Sequence, residues 1–409
     1  MAGAIAEVAP AGDTPALHLV ARSVIGVTHR TDAGNGPAHH HSVVFEGLEP
    51  GTLYAYRVSG GGTWSEWFHF RTAAAEAEPF SFLYFGDAQN AVKSHWSRTV
   101  RAAFSDLPDA RLMVHAGDLV NQRDGNFDDE WGEWFDAGGW LFGMIPNVPA
   151  TGNHEFVYEG DDGEEERVLA RAWNDHFTLP DQGPDELVNS VYHVDFQGVR
   201  FIVLNSTSAL DHGTAELQAV WLEGVLRDNP NRWTVVTYHH PMYSVSLGRD
   251  NPPLREHWKP LFDEYGVDLV LQGHDHSYGR VGENLPHGTT AFDGGTGTMY
   301  VVSVSGPKMY FASEDSRATM TRVGEDLQLY QIVHVAHDRI RFESRTVTGV
   351  LYDAFDLIKG EDGVNRLVDR VPEAIPPHSC ARPEIPGYRE DRCWEGTDFI
   401  DVPESPGRE

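Results

Sequence analysis

Five apolar segments of this chain run straight into polar loops: "FLYFGDAQN", "LMVHAGDLVNQ", "NVPATGNHE", "TVVTYHHP" and "LVLQGHDH". A short apolar run closed by glycine and polar residues reads as a strand covered on both faces, because a half-exposed strand alternates instead. Between these strands lie helical patterns at residues 96–107, 214–226 and 254–266. In the second, Leu217, Val220, Trp221 and Val225 share one face. Strand and helix in repeated alternation predict an α/β domain with helices outside a central sheet or pair of sheets. Residues 297–306 and 329–347 then read as antiparallel strands.

The polar loops carry chemistry. They deliver Asp87, then Asp118, then Asn153 and His154, then His239 and His240, then His274 and His276. Ligands gather where the strands of such sheets finish. Singly, each residue has a plainer explanation: an aspartate after a strand caps a helix or forms a turn, and a lone histidine is structural. Chance is a poor account of the five pieces in order. Carboxylate and amide oxygens suit hard cations, imidazole suits zinc, iron and manganese, and one carboxylate can bridge two ions about 3.5–4 Å apart.

Charge narrows the partners. The formal net charge is -31, opposite in sign to a protein that neutralises nucleic-acid phosphates, so no nucleic-acid binding is expected. An anionic phosphate ester would need the local field reversed, which bound dications achieve. The acidic surface otherwise fits solubility or life in salt. With 40% hydrophobic and 23% charged residues the composition is that of a soluble globular protein, and no run approaches the roughly 18 apolar residues of a membrane span. "MAGAIAEVAP" shows no basic stretch followed by an apolar one, so no signal peptide is visible. Two readings stand for Cys380 and Cys393: a short disulfide-closed loop in an exported chain, or two reduced thiols.

Residues 1–73 differ in texture. "HSVVFEGLEPGTLYAYRV" reads as strand, turn at Glu49-Pro50-Gly51, strand, and "WSEWFHFRT" as one more strand. "LEPGTLYAY" resembles the end of a fibronectin type III domain, with Leu48, Pro50, Thr52 and Tyr54 forming its tyrosine corner. Such a domain takes about 90–100 residues and seven strands, so its first strands are expected to be missing, through trimming or because the native start lies upstream.

The ordered set Asp, GD, GNHE, strand-terminal His and GHDH resembles the calcineurin-like metallophosphoesterases, and with the fibronectin-like segment in front it is similar to their purple acid phosphatase branch. "GNHE" and "GHDH" are the most specific parts. The resemblance implies a sandwich of two mixed β-sheets flanked by helices (an α/β, α+β class fold) over residues 79–350, preceded by a small all-β sandwich domain over 1–73 and followed by an irregular segment over 351–409. It implies two divalent ions (iron, zinc or manganese). Asp87 would bind the first ion and Asp118 would bridge both. Asn153, His239 and His274 would hold the second, with His276 returning to the first; His239 is favoured over His240 because it lies two residues before Pro241. His154 and Arg249 would be the catalytic residues, with Glu155 orienting the His154 imidazole. The implied activity is hydrolysis of small phosphate esters, chiefly monoesters, by attack of a metal-bound hydroxide, with an extracellular or periplasmic setting. A phosphodiesterase with the same ions, or a non-catalytic binding module with a decayed site, are the alternatives.

Three positions depart from the family pattern. Purple acid phosphatases carry a tyrosine three residues after the bridging aspartate, and Asn121 stands there; other members carry a histidine two residues after the first aspartate, and Gln89 stands there. Gln89 or Asn121 would supply a neutral oxygen, which predicts a colourless protein. Arg249 lies where plant-type enzymes have a further histidine, which leaves the pH optimum open. "HHH" at 39–41 reads as the exposed start of a strand and "EGDDGEEER" as a solvated acidic loop. Trp131, Trp134 and His115 read as packing residues.

Overall fold

The computed structural model describes residues 3–33, 36–121, 129–160, 165–284, 291–292, 295–371, 378–380 and 392–394. Near the N-terminus, strand Ile5–Pro10 pairs antiparallel with Arg22–Ile25 on one side and Leu53–Gly60 on the other, and the latter also pairs with Thr63–Trp64 and Phe68–Arg71. A hairpin of Val27–Ala33 and Gly36–Ser42 stands apart from this sheet. The strand expected at "HSVVFE" ends at Ser42, where its hairpin partner runs out. The described residues of this domain carry seven strands, some only two to four residues long. The tyrosine corner is closed: the amide of Glu49 donates to Tyr54 Oη at 2.8 Å. The hairpin meets the following domain through His29 Nε2 and Asp175 Oδ1 (2.9 Å) and through Ser42 and Thr178 (2.7 Å).

Two mixed sheets make up the second domain. In the first, Phe80–Phe85 lies parallel to Met113–His115, which lies parallel to Asn147–Pro149. On its other side the sheet continues antiparallel through Leu329–Val335, Arg339–Thr346, Leu351–Lys359 and Asn365–Asp369. In the second sheet Val199–Val203, Trp233–Thr237, Leu269–Gln272 and Met299–Val302 are parallel neighbours, with antiparallel strands at both flanks. The sheets pack face to face. Phe82 and Tyr84 join Phe201, Val235 and Leu271 in one core, while Leu83 and Phe85 turn the other way against Trp96 and Val100 of the flanking helices. Burial of both faces is why "FSFLYF" shows no alternation. Trp131 and Trp134 are core residues, Trp134 stacking on Phe142 at 4.2 Å. His115 is buried beside them; burial pushes its imidazole down to about 4, so it packs as a neutral ring bonded to Asn147.

Two expectations change. In helix Ala215–Arg227 the buried stripe is Ala215, Gln218, Leu222 and Leu226, whereas Leu217 and Val220 face water. A glutamine hid that stripe: buried Gln218 exchanges hydrogen bonds of 2.9 and 2.8 Å with the backbone of Asn205. The segment from 351 onward, expected to be irregular, instead begins with two strands of the first sheet, Leu351–Lys359 and Asn365–Asp369. Buried aspartates broke its apolar pattern. Asp353 accepts from Tyr278 Oη (2.6 Å) and Arg280 Nε (2.7 Å), and Asp356 from Arg341 Nε (3.0 Å) and Arg370 Nη2 (2.6 Å). The expectation for residues 372–377, 381–391 and 395–409 falls outside the described residues. Cys380 and Cys393 are joined in a disulfide, and Arg392–Trp394 pairs with Met309–Tyr310. No helix among the described residues is long and apolar enough to cross a membrane.

Candidate metal centre

Asp87 follows strand Phe80–Phe85, Asp118 follows Met113–His115, and Asn153 and His154 follow Asn147–Pro149. His239 follows Trp233–Thr237, and His274 and His276 follow Leu269–Gln272. These strands come from both sheets, and their C-terminal ends converge. The loops are tight enough to force unusual backbone: Asp118, His274 and His276 adopt φ of 52, 73 and 49°. Left-handed conformations at non-glycine residues concentrate at functional sites. Two glycines permit the approach. A Cβ on Gly152 would lie 2.2 Å from Asp118 Oδ1, and one on Gly273 would lie 2.3 Å from Asp87 Oδ1.

Two ligand triads result. The ligand atoms of Asp118, His239 and His274 lie within 4.8 Å of one another, and so do those of Asp87, Asp118 and His276. Asp118 belongs to both. Its Oδ2 lies 3.1 Å from His239 Nε2 and accepts from Gln89 Nε2 at 2.6 Å, while its Oδ1 accepts from the amide of His154 at 2.8 Å. Asn153 Oδ1 stands 3.2 Å from His239 Nε2, which is itself 3.1 Å from His274 Nδ1. Asp87 Oδ2 faces His276 Nε2 at 3.4 Å, and its Oδ1 accepts from the amide of His274 at 2.7 Å. His239 Nδ1 donates to the Ala116 carbonyl (2.8 Å) and His276 Nδ1 to that of Lys308 (3.1 Å), so in both rings Nε2 is the atom left for a ligand bond.

The donor set fits a pair of cations. Asp87 Oδ2 and Gln89 Oε1 are buried and have no hydrogen-bond partner among the described residues, which leaves both oxygens available to a bound ion. Burial pushes Asp87 up to about 7, with Asp118 adding to the rise and His239 opposing it. Burial works against the His239 cation, but Asp118 and Asp87 beside it raise that imidazole to about 9. Burial also works to raise Asp118, yet His239 and His154 hold it well below the ordinary carboxylate range.

The remaining expected residues lie around these triads. Gln89 reaches in, its carboxamide set between Asp118 and His276. Asn121 takes part through its backbone carbonyl, which accepts from His154 Nδ1 at 3.0 Å. That bond places His154 Nε2 3.9 Å from Asp118 Oδ2. Among the described residues, no hydrogen bond joins Glu155 to the His154 ring. Its carboxylate accepts from the amides of Gly152 (2.6 Å), Asp118 (2.9 Å), Leu119 (2.8 Å) and Val120 (3.4 Å), tying the two ligand loops together. Arg249 donates to the His274 carbonyl and to Asp275 Oδ1 (3.3 Å), with its guanidinium over the Tyr310 ring. His240 turns away to Ser206, its ring against His274. Sequence reasoning missed Arg167, which donates to the Asn153 carbonyl, and Tyr310, whose ring lies 4.7 Å from that of His276. Arg167 closes the acidic loop whose residues 161–164 are not described, and nothing in its spacing marked it.

Residues 80–278 match the family model of the calcineurin-like phosphoesterases, so the two-sheet domain is one of these. Residues 6–72 match the N-terminal domain of purple acid phosphatases. The chain thus carries a calcineurin-like phosphoesterase domain preceded by a purple acid phosphatase N-terminal domain. It is 29% identical to acid phosphatase type 7 of Danio rerio over 59% of this chain and 57% of that protein. It is 27% identical to Fe(3+)-Zn(2+) purple acid phosphatase 12 of Arabidopsis thaliana over 59% of this chain and 52% of that one. Its fold is that of a purple acid phosphatase from yellow lupin (Lupinus luteus) seeds, with a TM-score of 0.73 at 19% identity over 88% of this chain and 70% of that chain. The chain spans about half the length of the curated relatives it matches.

Proposed function

We propose that this chain hydrolyses small phosphate esters, chiefly monoesters, at a centre of two divalent ions held by Asp87, Asp118 and His276 on one side and by Asp118, Asn153, His239 and His274 on the other. The observation that carries this is Asp118, one buried carboxylate shared by two separate ligand triads. Ions bound there supply Lewis acidity and lower the pKa of water. The chain's own residues do the rest. Ala116 and Lys308, through their carbonyls, fix the tautomers of His239 and His276. Glu155 holds the loops of Asp118 and Asn153 in register. His154, fixed at Nδ1 by Asn121, keeps Nε2 for a proton that passes to the leaving oxygen. Arg249 has no hydrogen-bond partner at Nε or Nη2 among the described residues, and these donors suit a phosphoryl oxygen. Asn121, standing where the family pattern has an anionic tyrosine ligand, favours two divalent ions and a colourless protein.

Side-by-side assays of the metal-loaded protein with p-nitrophenyl phosphate and its bis ester test this reading. Faster turnover of the monoester is expected. Preference for the diester would replace the monoesterase reading, and no turnover of either would end the enzymatic one.

A further inference from the structure

We propose that the basic cavity at the opposite end of the first sheet is a second anion site, one that takes a small anion bearing phosphoryl groups. The cavity, of about 570 Å³, is lined by Arg71, Arg111, Arg339 and Arg341, with His334 and Asp109. That volume suits a small ligand. It opens at Phe80 and Ser81, where the strand leading to Asp87 begins. At roughly 3.3 Å per residue the cavity and the metal centre are about 20 Å apart, so the two are separate sites.

Charge is what points to an anion. The chain carries a net charge of -31, yet four guanidinium groups meet around this one concavity. Glu78 and Asp109 lie near Arg111, and Asp356 and Glu343 near Arg341, but among the described residues neither Arg71 nor Arg111 is hydrogen-bonded to a carboxylate. Arg71 Nη1 donates to the Gly51 carbonyl (2.9 Å), and Arg111 Nη2 to the carbonyls of Arg71 and Thr72 (3.2 Å each), all of them neutral acceptors. Arg339 and Arg341 share the single carboxylate of Asp356, at 3.5 and 3.0 Å, with a third arginine, Arg370, at 2.6 Å. Burial, and after it the Arg71 charge, pull Arg111 below its ordinary value, opposed by Glu78 and Asp109. Gathering like charges in a half-buried concavity is unfavourable unless an anion compensates, and the planar fork of arginine matches phosphoryl oxygens. The occupant would also join two domains. Arg71 ends the last strand of the N-terminal domain, whereas Arg339 and Arg341 lie on a strand of the first sheet of the second.

Calorimetric titration of the metal-loaded protein with inorganic phosphate, and separately with methylenediphosphonate, tests the site. Wild type is expected to show two binding events. Arg71→Gln/Arg341→Gln is expected to lose one of them, with at least tenfold weaker binding there, while turnover at the metal centre is unchanged. Tighter binding of the diphosphonate at the lost site assigns it to condensed or organic diphosphates, and tighter binding of phosphate to the free ion. Because Arg341 also holds Asp356, exposed Arg71 is tested alone as well: Arg71→Gln should melt like wild type without anion but show a smaller rise in Tm with phosphate, keeping only the part that comes from the metal centre. Identical stoichiometry and identical anion-induced Tm shifts in wild type and variants would overturn the proposal, whether or not the protein proves to be a phosphatase.

Discussion

Replacing Glu155 by glutamine exchanges one acceptor oxygen for an NH2 donor, keeps the size of the side chain, and tests how the two halves of the candidate metal centre are held in register. Glu155 Oε2 accepts from the amides of Gly152 and Asp118 at 2.6 and 2.9 Å, and Oε1 from those of Leu119 and Val120 at 2.8 and 3.4 Å. A carboxamide offers one oxygen and one NH2. Whichever way it is turned, one pair of buried N–H groups faces a donor. Stranding a buried donor costs about 1–3 kcal/mol, so the two together cost about 4 kcal/mol. Domains of this kind are stable by only about 5–15 kcal/mol, which makes that loss readily measured. The damage also reaches the ligands, because Asp118 holds its φ of 52° within the loop that Glu155 secures. Glu155→Gln should therefore shift the urea transition of the phosphoesterase domain by about 4 kcal/mol and lower its metal content. A variant within about 0.5 kcal/mol of wild type, the range of an ordinary surface change, and with full metal content would refute this role.

Asp353→Ala leaves Arg280, which is almost wholly buried, with Asp369 as its remaining carboxylate at 2.9 Å; breaking such a pair costs about 3–5 kcal/mol, and a loss under about 1 kcal/mol in urea unfolding would contradict the place of Leu351–Lys359 in the core. His154→Ala should slow alkyl phosphates by about 10²–10⁴ in kcat and p-nitrophenyl phosphate much less, because the latter's leaving group needs no proton; equal losses on both would exclude proton transfer from His154. Metal affinity should fall as pH drops. His239, raised to about 9, and Asp87, raised to about 7, must both lose a proton to become ligands, so binding weakens first below pH 9 and further below pH 7. Metal affinity independent of pH between 5 and 9 would show that these groups are not ligands.

Much of the candidate site was legible because each of its proposed ligands sits where an apolar strand stops, and a strand buried on both faces announces itself by composition. Asp87, Asp118, Asn153, His239, His274 and His276 all lie at such ends, and the structure brings them together. What stayed hidden has a physical reason in each case. Glu155 acts on backbone amides, which are the same at every residue, so its partners could not be read from side chains. Ala116 and Lys308 hold the His239 and His276 rings through backbone carbonyls, which no side-chain pattern marks. The buried face of Ala215–Arg227 was masked by Gln218, and the strands after residue 350 by Asp353 and Asp356, because a satisfied buried polar residue looks in sequence like an exposed one. Fold reading fails where the core is held by hydrogen-bonded polar groups.

The central claim is that Asp118 serves two cations at once, and counting metals tests it most directly. Elemental analysis of the purified wild-type chain should give close to two transition-metal ions per chain, and Asp118→Asn should give fewer than one. Fewer than one ion in wild type, or two retained after Asp118→Asn, would contradict it.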